Sequence, residues 1–214
     1  MDADAKTIRD EVRSAVQLGR GIQKAACSIT LKALTHGELD RGAIRKVTGD
    51  VVKAVQEAAT VQGPRAKEVM AEAVAGVDEA LAHAAQALKL SIEEAGSRAE
   101  KFSREDLAKA RESLKNLEGD FLDTLRETAR SSRSTISSIM DDMIKHAQSS
   151  GTAVGRQLQQ MGGLSGRMAE AGRAHFDAAT RTAMSSTAMM ARIASGVLAG
   201  IAESLDAKPK DRSR

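Results

Sequence analysis

PRAKEVMAEAVAGVDEALAHAAQALKLSIEEAGSRA, residues 64–99, decides the fold. Pro64 follows Gly63, and glycine after one helix with proline at the start of the next is the usual asymmetry of helix ends. No further proline interrupts the stretch. Val69, Ala73, Val77, Ala80, Ala84, Leu88, Ile92 and Ala95 recur at three- and four-residue steps, so they share one helical face. The spacing predicts a long helix over Pro64 to Ala99 with a seam of small side chains.

The rest of the chain has the same texture. Its 214 residues hold two prolines, no tryptophan, no tyrosine and three phenylalanines. Ordinary usage would give about 11 prolines. Large aromatic side chains normally anchor cores and interfaces, so their near absence argues against a compact globule with a deep pocket. No sustained two-residue alternation marks a strand. The expected fold is all-α: an elongated bundle of four to six long amphipathic helices with coiled-coil-like packing.

Working outward, a first helix is expected from Asp4 to Leu34, bent at Gly19 and Gly21. Its stripe is Ile8, Val12, Ala15, Ile22, Ala26, Ile29 and Ala33. Thr35-His36-Gly37-Glu38 reads as a turn with capping-box spacing. A second helix, Asp40 to Gln62, carries Ile44, Val47, Val51, Ala54, Val55, Ala58 and Val61. After the alanine-rich helix, Ser103 to Asp106 reads as an N-cap for a fourth, either separate from the third or continuous with it. The fourth softens at Ser131 to Thr135, where hydroxyls compete for the backbone. Ser149-Ser150-Gly151 is a turn candidate. These marks divide the chain into an N-terminal helical hairpin (1–63), an alanine-rich long-helix region (64–150), a C-terminal amphipathic helix (151–206) and a charged tail (207–214).

The C-terminal helix, expected from Thr152 to Leu205 with a break at Gly162-Gly163, is the best organised. Arg156, Arg167, Arg181 and Arg192 fall within roughly 20° of one direction at about 100° per residue. Leu158, Met161, Met168, Phe176, Met190, Val197 and Ile201 lie on the opposite face. Gly196 and Gly200 form a GxxxG, a spacing that lets helices approach closely. These arginines and apolar residues are the candidate surface- or partner-binding residues; the alternative is that the apolar face packs on the other helices of the same chain, as any bundle helix does. From Gly151 to Arg214 nine basic residues face five acidic ones, a balance that suits an ordinary solvated face or an anionic partner.

Other readings fall away. Gly19-Arg20-Gly21 lacks the third glycine and the preceding strand of a dinucleotide loop. Glu93-Glu94 and Asp141-Asp142 diverge by about 100° and cannot flank one substrate atom. No two histidines have i, i+4 spacing and Cys27 is the single cysteine, so no metal or cofactor is expected. Cys27, directly after the Ala25-Ala26 pair, reads as a small core residue. Without aromatic stacking platforms, specific nucleic-acid binding is not expected. The N-terminus has no signal-peptide pattern, and no stretch approaches the ~18 uncharged apolar residues of a membrane span.

The alanine-rich, proline-poor run from Pro64 to Ala99, followed by Arg104 to Arg130 and the amphipathic end, resembles the bacterial phasins, which coat polyhydroxyalkanoate granules. Ile29 to Leu34 and Glu38 to Arg45 are similar to part of an uncharacterised proteobacterial helical family, which carries no functional residues over. The phasin resemblance implies a cytoplasmic, non-enzymatic, surface-binding homo-oligomer with no catalytic site. The expected function is therefore a helical interaction or coat protein acting on a hydrophobic granule, a lipid surface or copies of itself. The alternative is a coiled-coil scaffold or regulatory module for a protein partner.

Overall fold

In the computed structural model every position of the predicted alanine-rich stripe is buried, from Val69 to Ala95. The structure describes residues 2–36, 39–97, 104–161 and 186–206. They form α1 (Asp2–Leu18), α2 (Ile22–Thr35), α3 (Arg41–Thr60), a 3-10 turn (Gly63–Arg65), α4 (Ala66–Ser97), α5 (Arg104–Arg130), α6 (Ser134–Ser150), α7 (Ala153–Met161) and α8 (Ser186–Asp206). No strand occurs among the described residues, and the fold is all-α. The long helix α4 is its axle: α2, α3, α5, α6, α7 and α8 all pack on it.

The helices are shorter than the stripes alone suggested, and more numerous. The expected first helix is two helices. Gly19 and Gly21 both take left-handed backbone, φ 65° and 64°, so the chain turns instead of bending. The apolar stripe runs through this turn because both helices face the same core: Ile8, Val12 and Val16 on α1, Ile22, Ala26 and Ile29 on α2.

The soft point expected at Ser131 to Thr135 is likewise a complete break. The hydroxyls of Ser131 and Ser132 both donate to the Thr128 carbonyl, at 3.0 and 2.6 Å, ending α5 by the competition that serine offers a helix. Residues 37–38 of the first expected turn and 98–103, where the third and fourth helices would join or part, lie outside the described residues. Asp40, not Thr35, caps α3: its carboxylate accepts from the Ala43 N–H at 2.7 Å.

Arg65 Nη2 donates to the Gly19 carbonyl at 3.3 Å, so the α1–α2 and α3–α4 turns share one end of the bundle. It follows that α1 runs parallel to α3, and α2 parallel to α4. Val61, expected on the buried stripe of α3, is instead 80% exposed, because it follows the last helical residue at this end. At the start of α3, Arg41 grips the buried carboxylate of Asp120 on α5 through Nε at 2.6 Å and Nη2 at 2.8 Å, with Arg45 at 3.4 Å. No helix among the described residues is long and apolar enough to cross a membrane.

Candidate functional site

The C-terminal region holds the binding residues expected from sequence, and α7 is its best-defined part. The first N–H groups of a helix have no partner within it. Here Asp78, on α4, accepts from Ala153 N at 2.6 Å and Val154 N at 3.0 Å. Thr152 Oγ1 accepts the next, Gly155 N, at 2.8 Å, and its hydroxyl donates to Glu118 of α5 at 2.5 Å. Two carboxylates on two helices thus fix where α7 starts. Burial pushes the Asp78 carboxyl above the usual carboxylate range; the two backbone donors and Arg156 pull it back, and Glu118 adds to the rise.

Arg156 is exposed and donates to the Gly151 carbonyl at 3.0 Å. Leu158 is half-buried against the core, below the fully buried Val154. On α8, Val197 and Ile201 are half-buried beside Ala194 and Leu198, which are fully buried. Both helices lie on α4, and α8 also packs on α2. The described part of the expected binding face is therefore largely turned inward. This is the ordinary fate of an amphipathic stripe in a bundle. Met168, Phe176, Arg167 and Arg181 lie outside the described residues, as do the side chains of Met161, Met190 and Arg192.

The outward side of α8 differs from that of an ordinary surface helix. No charged residue occurs between Arg192 and Glu203. Gly196 and Gly200 are exposed, and a Cβ added at either would meet nothing within 4 Å. Ile193, Val197 and Ile201 border them, half-buried.

A second grouping was missed by sequence reasoning. Where α2 meets α4, Cys27 from α2 lies against Glu79 and His83 from α4, their ligand atoms all within 4.8 Å of one another. Gln23, one turn before Cys27, donates from Nε2 to Glu79 Oε2 at 3.1 Å. Gly76 explains the approach. A Cβ there would run into the Gln23 carbonyl oxygen, with Ala26 Cβ and Cys27 N both at 3.0 Å. The helices touch backbone to backbone, and Glu79 and His83 follow Gly76 by three and seven residues on the same face. Histidine pairs alone do not reveal the grouping; the signal in the sequence is the i, i+4 spacing of Glu79 and His83.

No curated protein and no solved structure matches the chain. Residues 1–207 match the group described as "Family of unknown function (DUF6781)", and the chain belongs to that family.

Proposed function

We propose that the chain is a non-enzymatic helical interaction protein that lays uncharged helix surface on a hydrophobic granule, a lipid surface or further copies of itself. The observation that carries this reading is the outward face of α8. Solvated helix faces are ordinarily lined with charged and polar residues. Here the stretch from Ile193 to Ala202 carries no charge and one polar side chain, Ser195, among glycine and aliphatic residues, and the exposed Gly196 and Gly200 leave room for another helix to come close. The basic excess after Gly151 adds attraction to anionic surfaces. The thin, alanine-rich core of α4 supports the same reading, because alanine buries little apolar area and association adds more.

The test replaces Gly196 and Gly200 together by glutamate. Both point into open space, so the bundle keeps its fold by circular dichroism. Sedimentation of the parent should show an oligomer, and flotation should show retention on neutral lipid droplets. The double variant should lose both. A parent that stays monomeric and ignores droplets would rule the reading out.

A further inference from the structure

We propose that Cys27, Glu79 and His83 hold a divalent transition-metal ion of the zinc class, clasping α2 to α4. The donor set is one thiol sulfur, one carboxylate oxygen and one imidazole nitrogen, converging within 4.8 Å. Magnesium and calcium take oxygen ligands. Sulfur with imidazole selects zinc and its neighbours instead. A tetrahedral ion with bonds of 2.0–2.3 Å needs its donors about 3.3–3.7 Å apart, so closure asks for a movement of ~1 Å.

The side chains that must move are those able to. Glu79 and His83 are half-buried at the edge of the seam, whereas Cys27 is 4% exposed and anchored in the core. Their helices are rigid at this point, because Gly76 puts the two backbones in contact one turn away. Gln23 holds the Glu79 carboxylate through its amide N–H, the kind of outer partner that orients a metal ligand. Three protein ligands leave a fourth position, which water fills from the open side of the seam. On binding, the Cys27 S–H bond breaks, its proton leaves to solvent, and the sulfur lone pair forms the bond to the metal; no electron is transferred.

The chain has a single cysteine, so a thiolate signal reports on this site alone. Untagged full-length protein is titrated with cobalt(II). The expected result is one cobalt per chain, with a thiolate-to-cobalt charge-transfer band that zinc abolishes by displacement. Cys27→Ser removes the band. Glu79→Gln and His83→Ala, checked for fold by circular dichroism, weaken cobalt binding by about tenfold or more. Because those two change rim side chains, they remain informative if Cys27→Ser fails to fold. The proposal is overturned if saturating cobalt gives no thiolate band, or if both rim variants bind with the parent's affinity.

Discussion

One turn of α4 is fastened on two sides by different means. Toward α2, Gly76 lets the backbones touch, and the contact is made of small side chains. Toward α7, Asp78 reaches out and holds two backbone N–H groups, while Glu118 of α5 holds the threonine that satisfies a third. The first joint is one of shape. It depends on a missing Cβ and forms along a face that repeats down the helix. The second joint is one of polarity, and depends on a carboxylate placed where a helix begins. Small-residue seams bring helices together with little choice of partner, whereas the polar joint specifies which helix end sits where.

The largest expected effect breaks the first joint. Gly76→Val places a branched side chain against the Gln23 carbonyl and the Ala26 and Cys27 atoms. Neither backbone can yield without separating α2 from α4. Overpacking of this kind costs about 3 kcal/mol or more, and urea unfolding should show it as a large fall in midpoint. A variant as stable as the parent would mean that the helices are not in backbone contact.

Breaking the second joint should cost less and act locally. Asp78→Ala removes the acceptor for the N–H groups of Ala153 and Val154, a loss of about 0.5–2 kcal/mol for a helix cap. Native-state hydrogen exchange should quicken at residues 153–155 and leave the α2–α4 seam protected. Equal quickening along α4 would show that the two joints are one cooperative unit.

The two joints also differ in how far they can be read from sequence. The seam was legible because a period of three to four residues needs no knowledge of the partner: all eight residues of the α4 stripe are buried. Gly19 and Gly21 were legible as interruptions, but glycine permits a bend and a reversal alike. The reversal is fixed by contacts such as Arg65 to Gly19, which are remote in sequence. The polar joint was not legible, since Asp78 and Ala153 are joined only by the fold. The Cys27 grouping lay between these cases. Its Glu79-to-His83 spacing is local, but the third member arrives from α2. The inward turn of Leu158 and Val197 was open from sequence alone, because an amphipathic face looks the same whether a bundle or a foreign surface covers it.

A smaller effect sharpens the comparison by supplying a Cβ where there is room. Gly49, inside α3, has as its nearest atom Thr124 Cγ2 at 4.0 Å. Gly49→Ala should therefore stabilise by up to about 1 kcal/mol, the ordinary gain of alanine over glycine within a helix. Urea midpoints of Gly49→Ala and Gly76→Val should move in opposite directions. Movement in the same direction would show that glycine content, not contact geometry, governs both.

The smallest effect is one of pH, and it isolates the polar joint. Burial raises the Asp78 carboxyl above its ordinary 3.8, with the Ala153 and Val154 donors acting against the rise. A carboxyl with a raised folded pKa binds its proton more tightly in the native state than in the unfolded chain. Between the two pKa values the native state holds more protons, so stability falls as pH rises through that window. Above the folded pKa, the cost of keeping the ionised group buried is present in full. Acidifying from neutral toward pH 4 should therefore favour the parent over Asp78→Asn, which does not titrate. Comparing the two proteins cancels the carboxylates they share, leaving Asp78 and its coupling to Glu118. Urea midpoints measured across the window should diverge toward acid, with the parent gaining. The opposite sign would mean that the α7 N–H groups stabilise the Asp78 carboxylate by more than burial penalises it. The joint would then act as an ordinary charged helix cap, strongest at neutral pH.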